Sequence, residues 1–309
     1  MKKIVIITVT FNESHNLKIF FDSIKSQTYK NIDVIVIDNN SNDGCVEKAI
    51  ELFPSVIIIQ NESNIGFSAA INTGYQKAKK LDADYIFILN NDVKFNDTCI
   101  EELWKLAEKS DASIVGPILF EWHDDNIENI IQEYGGNINK NTGQKVKYYR
   151  RKIFFENEIP EQKEVTFIGG GVSFINMTKV KEKDYIFDTD YFLYTEEQDF
   201  ETDLVRNGHK MYVTTKAKVW HKVHERNLGQ KYRELFYITR NTYLYFYKYF
   251  GLRKAVKYFV IQMFKFPRTA YQLNKRFGFK MVYNVFIANW IGLLIIKGKI
   301  NFKYLYKKY

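Results

Sequence analysis

The side chains best suited to chemistry in this sequence sit where apolar runs end. Thr8, Thr10, Asn12 and Glu13 close the first run, DNNSND (residues 38–43) the second, and Asn90, Asn91 and Asp92 the fourth. Asn, Asp and Ser form turns and caps unaided, which accounts for any one of these loops. Three such loops on one rim ask for more. In an open parallel sheet, ligands bind outside the carboxyl ends of the strands. The first of these loops, TFNESHN, contains no glycine, and no GxxxxGK[ST] occurs anywhere. The usual dinucleotide and phosphate-loop solutions are thereby excluded. Asp92, following a buried strand, could instead hold a divalent cation that neutralises a diphosphate.

Such loops need a scaffold. IVIITVT (residues 4–10), IDVIVID (32–38), VIIIQ (56–60) and YIFILN (85–90) read as strands. Between them, Leu17, Phe20, Phe21 and Ile24, then Val46, Ala49, Ile50 and Phe53, then residues 66–80 carry helical spacing. This alternation predicts a mostly parallel sheet covered by helices on both faces. Thr98 and Glu101 are spaced as a capping box for a further helix. The pattern weakens over residues 121–164, where Gly135, Gly136 and Gly143 suggest a hairpin or a mobile excursion. It returns at VTFIGGGVSFIN (165–176), followed by a helix from about Glu196 to Asn207 that stops at Gly208 and by strand-like MYVTT and KVWH.

With 309 residues and 46% apolar composition, the chain can bury one large core, or a catalytic domain with an appendage. Cys45 and Cys99 have no CxxC or Cys/His spacing, which argues against a disulfide scaffold or structural zinc and for packed thiols in a reducing compartment. The opening MKKIVIITVTF has the lysines and apolar run of a signal peptide, but it breaks at Asn12-Glu13 without a small-residue cleavage site and reads as the first strand. No stretch reaches the roughly 20 apolar residues that span a bilayer. The net charge of +9 is unevenly spread: residues 222–309 hold 19 Lys and Arg against Glu225 and Glu234, a net +17, and the remainder is −8.

In order along the chain, TVTFN, VIVIDNNSNDG, NESNIGFSAAINTG, FILNNDV, FIGGGVSF, YTEEQDF and VWH resemble the motifs of family 2 glycosyltransferases, particularly a rhamnosyltransferase-like and galactofuranosyltransferase-like branch. The resemblance covers residues 3–221, and Arg240-Asn241 also matches. Any one motif is weak; seven in sequence are not. The resemblance implies a GT-A fold, an α/β Rossmann-like mixed sheet over residues 1–224; the C-terminal helical region over 225–309 is read from the pattern of that segment itself. The resemblance also implies a metal-dependent, inverting, hexosyltransferase-type enzyme that moves sugar from a dTDP- or UDP-linked donor. The acceptor would be a hydroxyl of a lipid-linked or cell-surface glycan, in polysaccharide biosynthesis.

Residue by residue, the resemblance makes Asp38 the acceptor of hydrogen bonds from the base, with Thr10, Asn12 and Asn40 on the same rim. Asn64, Gly66, Phe67, Asn72, Asn90 and Asn91 would line the nucleotide and diphosphate. Gly66, opening a helix, would offer unpaired N–H groups to an anion. Asn90 stands where the family often has the first aspartate of its metal motif, leaving Asp92, with His221 of VWH, to hold Mg2+ or Mn2+. Glu197, the second acid of YTEEQDF, maps onto the base that deprotonates the acceptor, with Glu196 and Asp199 as alternatives. The family more often has aspartate there. Without the resemblance, these acids would be ordinary helix N-terminal charge. Gly169, Gly170 and Gly171 would admit the sugar or acceptor close to backbone, or simply bend a strand, and Arg240 would lie on the acceptor side.

The basic tail is helical and aromatic-rich, with YLYFYKYF (243–250), YFVIQMFKF (258–266) and MVYNVFIANWIGLLII (281–296). That composition matches an interfacial segment on anionic lipid; packing on the catalytic domain is the alternative. Nucleic-acid binding lacks a recognition motif. The expectation is a peripheral protein at the cytoplasmic face of the plasma membrane, with a homo-oligomer left open. Two other functions fit the sequence: a nucleotidyltransferase releasing pyrophosphate, and a catalytically inactive glycan- or lipid-binding subunit.

Overall fold

In the computed structural model residues 1–296 are described, apart from residues 124, 125, 140, 170 and 224–226. Strands β1 (Ile4–Thr10), β2 (Ile32–Asp38), β3 (Ile57–Gln60) and β4 (Tyr85–Leu89) lie parallel in the order β3-β2-β1-β4. Between them run α1 (Leu17–Lys25), α2 (Cys45–Leu52) and α3 (Phe67–Lys80), and β5 (Val93–Phe95) and α4 (Cys99–Ser110) follow. Ile4, Ile6, Val34, Val36 and Phe87 pack on Phe20, Phe21, Ala49 and Leu103 of α1, α2 and α4. Their neighbours Val5, Ile7, Ile35, Ile37 and Ile88 pack on Ala70, Ile71 and Tyr75 of α3. Both faces are therefore covered, which is why these strands read as unbroken apolar runs. Because Gly44 starts α2 at Cys45, its buried stripe is Cys45 and Ala49, and Ile50 is exposed rather than inward as its spacing suggested.

Downstream, the sheet becomes mixed. The elements are β6 (Ile114–His123), β7 (Asn126–Glu133), β8 (Gly136–Ile138), β9 (Lys145–Lys147), β10 (Gln162–Val165), β11 (Val172–Asn176), α5 (Glu196–Arg206) and β12 (Met211–Lys222). Strand β11 enters antiparallel between β4 and β6, and β12 runs parallel to β6 but antiparallel to β5 and β10. MYVTT and KVWH form one strand, with a register break between Thr214 and Lys218. Over residues 121–164 the hairpin alternative is the one that forms: β7 folds back on β6, and β8 and β9 form a separate antiparallel ribbon. The Thr98–Glu101 capping box does not form. Asn96 Nδ2 donates to Thr98 Oγ1 (3.0 Å), and Glu101 is drawn away to Thr28 Oγ1 (2.6 Å) and Lys105 Nζ (2.8 Å).

The chain divides into two compact units, Met1–Asp188 with Glu197–His224, and Thr189–Glu196 with Glu225–Tyr309. In the second, α6 (Leu228–Phe277) opens with a capping box between Asn227 and Gln230, breaks at Gly251 and is followed by α7 (Phe279–Ile296). Tyr243 of α6 donates to Asn289 Oδ1 of α7 (2.5 Å), and the two helices approach where Gly292 leaves room for the Tyr243 ring. Arg240 and Asn241 are fully buried. Arg240 donates to the Asp190 carbonyl, and Asn241 Nδ2 donates to the carbonyls of Leu193 (2.9 Å) and Tyr194 (2.6 Å). On the outside of the pair, Phe264 is 84% exposed, Phe279 74% and Tyr271 70%. Among the described residues no helix is long and apolar enough to cross a membrane.

Candidate active site

The parallel register sets Thr10 of β1 beside Asp38 of β2, and Asp38 beside Gln60 of β3. Asp38 is buried, and both its oxygens accept from the Ser41 N–H (3.1 and 3.3 Å), which folds the loop over the strand end. Asn40 and Asn12 take left-handed backbone conformations (φ 69° and 58°), tolerated best by Asn, Asp and Gly. Asn12 donates its N–H to Ser41 Oγ (2.9 Å) and accepts from the Asn42 N–H (2.8 Å). The first two polar loops are thus one hydrogen-bonded rim. Thr10 Oγ1 lies 3.2 Å from Cys45 Sγ, and both cysteine thiols are buried and free.

At the next turn, Asn64 Oδ1 accepts from the Gly66 N–H (3.0 Å), so that donor is already paired rather than open to an anion as expected, and Asn39 Nδ2 donates to the Gly66 carbonyl (3.4 Å). That joins the β2 loop to the start of α3. Phe67 stacks on Phe187, with ring centroids 6.1 Å apart. Asn72 has a bracing role: its Nδ2 donates to the Phe187 carbonyl (2.6 Å), and its Oδ1 accepts from the N–H groups of Ile186 (3.1 Å) and Phe187 (3.0 Å). Its amide holds residues 186–187 against α3.

After β4, Asn91 is buried and its Nδ2 has no hydrogen-bond partner among the described residues, as is also true of Thr8 Oγ1. Buried polar atoms are rarely left so, and a bound polar ligand is one remedy. Asp92 Oδ1 meets His221 Nε2 at 3.1 Å, because β5 pairs with β12 and sets His221 opposite Val93. His221 Nδ1 lies 3.0 Å from Gln132 Oε1 of β7. If Nδ1–H donates to Gln132, neutral His221 turns its Nε2 lone pair toward the Asp92 oxygen. A cation between them satisfies both, and the outer hydrogen bond is the orienting contact that metal-bound histidines commonly make. The donor set therefore fits a divalent ion. Among the described residues no cluster of three or more His, Cys, Asp or Glu occurs, so water and ligand oxygens would complete the shell, as Mg2+ in particular prefers.

Gly171 is the joint of the site. Its carbonyl accepts from the Asn90 N–H (3.1 Å), and its N–H donates to Glu197 Oε1 of α5 (2.8 Å). Gly171 has φ 69°, which strains any residue with a side chain, and a Cβ there would fall 2.4 Å from Asn90 Nδ2, so the Asn90 amide would have to swing aside. Gly169 is also left-handed (φ 65°), its missing side chain facing the Phe167 ring; Gly170 lies outside the described residues. Glu196 and Asp199 are buried, whereas Glu197 is half-buried.

Three contributors carry little local sequence signal. Gln132 sits in the stretch where periodicity fades. Glu201 follows Glu197 by one helical turn, a spacing that could have flagged it; its Oε1 accepts from the N–H groups of Ile168 (3.0 Å) and Gly169 (3.2 Å). Burial, reinforced by the charge of Glu197, pushes the Glu201 carboxyl up to about 8. Lys145 of β9 is held below the usual lysine range by loss of water around its ammonium and by Lys147, against the opposing pull of Glu197 and Glu201.

Comparison with known proteins decides the family. The profile described as Glycosyl transferase family 2 matches residues 5–182. The chain belongs to that family. It is similar to the Staphylococcus aureus poly(ribitol-phosphate) beta-N-acetylglucosaminyltransferase TarP, 24% identical over 215 residues, 65% of each chain. It also resembles the Mycobacterium tuberculosis N-acetylglucosaminyl-diphospho-decaprenol L-rhamnosyltransferase, 25% identical over 123 residues, 37% of this chain and 40% of that protein. The chain thus spans less than two thirds of these curated relatives. Among solved structures, GalNAc-T7 with UDP, GalNAc and Mn2+ aligns with a TM-score of 0.58 at 15% identity, over 79% of this chain and 51% of that one. This family 2 chain therefore has the mixed α/β fold of the GT-A type, with a C-terminal helical region.

Proposed function

We propose that this chain is a metal-dependent, inverting glycosyltransferase that moves a hexosyl group from a dTDP- or UDP-sugar to a hydroxyl of a lipid-linked or cell-surface glycan. The Gly171 joint carries the reading: it ties the Glu197 carboxylate to Asn90, two residues before Asp92. Glu197 takes the proton from the acceptor hydroxyl, whose oxygen bonds to the anomeric carbon opposite the leaving group. The bond from that carbon to the diphosphate breaks, and its electron pair leaves with the nucleoside diphosphate. One displacement inverts the anomeric centre. Asp38 and Thr10 receive the base, with Asn12, Asn40 and Asn64 shaping the rim and Gly66 opening α3 toward the diphosphate. Asp92 and His221 would hold Mg2+ or Mn2+, which when bound supplies positive charge to the leaving diphosphate. The Mn2+ in the GalNAc-T7 structure and the sugar transfers named for the relatives support this assignment.

The exposed aromatic side chains on α6 and α7, in a segment rich in Lys and Arg, support docking on anionic lipid at the cytoplasmic face of the plasma membrane. A role in polysaccharide biosynthesis follows from such acceptors. The deciding experiment is a panel of UDP- and dTDP-sugars with the full chain and Glu197→Gln, measuring nucleoside diphosphate release and binding. Turnover should fall by about 100- to 10,000-fold in Glu197→Gln with nucleotide affinity retained. Full activity would move the base to Glu196 or Asp199, and pyrophosphate release from a nucleoside triphosphate would replace sugar transfer altogether.

A further inference from the structure

Two carboxyl groups of α5, Glu197 and Glu201, are spaced by four residues and so lie on one face, one turn apart. Both reach the same loop. Gly171 donates its N–H to Glu197, while Ile168 and Gly169 donate theirs to Glu201 Oε1. Glu201 is only 1% exposed, and its Oε2 is buried without a hydrogen-bond partner among the described residues. Phe200 and Leu204 of the same helix belong to the buried apolar core. A leucine would pack there without the desolvation that a carboxyl suffers, so packing alone does not account for the acid. Its evident contribution is to pair two buried backbone N–H groups at the base of a loop whose other end touches Glu197 and Asn90.

We propose that Glu201 is a positioning residue of the transfer site, anchoring Ile168 and Gly169 so that α5 sets the loop at Gly171 and the carboxylate of Glu197 as one unit. The proposal rests on the reading of Glu197 as base, and its tests include one that does not. In the neutral form, Oε1 accepts both N–H groups and no second negative charge stands beside Glu197. The charged groups acting on Glu201 are Glu197 from its own helix and Lys145 from β9; Lys145 in turn faces Lys147 and Glu133. Ionisation of Glu201 at alkaline pH would therefore place like charges one turn apart and disturb the joint at Gly171.

The test uses the full chain and whichever UDP- or dTDP-sugar of the panel turns over fastest. Glu201→Ala should lower kcat on the order of ten- to a hundredfold, from two lost hydrogen bonds, with donor KM nearly unchanged. Glu201→Gln, which keeps the acceptor oxygen and stays neutral, should retain kcat at pH 7 and lose the decline the parent shows above pH of about 8. Hydrogen exchange over residues 165–172 should be faster in Glu201→Ala and restored in Glu201→Gln, whatever the base proves to be. Full kcat per folded molecule in Glu201→Ala, an alkaline decline unchanged in Glu201→Gln, or unaltered exchange would each overturn the proposal. If Glu201→Ala does not fold, the pH profile and exchange of Glu201→Gln decide.

Discussion

Replacing Gly171 with alanine separates backbone strain from a steric contact at the heart of the site. Gly208 provides the reference: it is also left-handed (φ 82°), but a Cβ there would meet nothing within 4 Å. An L-residue held left-handed costs about 1–2 kcal/mol, and the stiffer unfolded chain returns about 0.4–1 kcal/mol. Gly208→Ala should therefore cost about 1 kcal/mol. Gly171→Ala carries the same strain, but its Cβ would lie 2.4 Å from Asn90 Nδ2 and 2.6 Å from Cγ and Oδ1. The loop cannot simply retreat, because the Gly171 carbonyl holds the Asn90 N–H and the Gly171 N–H is held by Glu197. The Asn90 amide must therefore turn away from the new methyl group, at a further cost of up to about 3 kcal/mol, giving about 1–4 kcal/mol in all. Thermal unfolding of both variants, with turnover of the best donor measured below the transition, reads the difference. Gly171→Ala should melt several degrees below Gly208→Ala and lose most turnover, while Gly208→Ala stays active. Equal melting and equal activity would refute the steric joint between Gly171 and Asn90.

Other consequences follow from the same geometry. Gln132→Ala should weaken Mn2+ affinity about 10- to 100-fold by releasing the His221 ring, and Asp92→Ala should weaken it more; Mn2+ titration followed by electron paramagnetic resonance checks this, and unchanged affinity in Asp92→Ala removes the cation from this pair. Because Glu201 sits near 8 in the folded chain and near 4.5 when unfolded, its stabilising contribution is complete below about pH 4.5 and is lost as pH rises to about 8. The melting temperature of Glu201→Gln should accordingly gain on that of the parent across this window and hold its lead above it; parallel curves would show that Glu201 is not held neutral. Charge reversal of Lys254, Lys257 and Lys265 on α6 should reduce co-sedimentation with vesicles of anionic phospholipid at low salt, with the difference from the parent shrinking as salt rises. Unchanged sedimentation would take the membrane out of the account.

What could be read from the sequence was what chain-local physics writes there. Strands β1 to β4 are covered on both faces, so each is a solid apolar run between helical repeats, and their parallel order follows. Insertion of β11 between β4 and β6 leaves no such trace, because it depends on pairings with residues far away in sequence, such as Phe174 with Val115 and Val172 with Leu89, and on the Ser113 carbonyl that accepts from the Asn176 N–H. The Thr98 cap shows the reverse failure: the spacing was right, but Thr28 and Lys105 compete for Glu101. In the site, Asp38 and Asp92 could be found from polar residues at strand ends, whereas Asn64, Gly66 and His221 came from the resemblance of their motifs alone. No local pattern joins His221 to Asp92, since it is the pairing of β5 with β12 that brings them together.

The glutamate at position 197, where the family more often has aspartate, has a geometric use in this fold. Helix α5 carries the carboxyl to within 2.8 Å of the Gly171 N–H. Shortening the side chain by one carbon–carbon bond, about 1.5 Å, would carry an aspartate out of hydrogen-bond range unless α5 moved toward the loop. Glu201 opposes that movement's freedom in both directions, since it fixes Ile168 and Gly169 to the same helix one turn later. The longer acid at 197 and the buried acid at 201 thus form a matched pair: the second sets the distance between helix and loop, and the first is the length that distance requires.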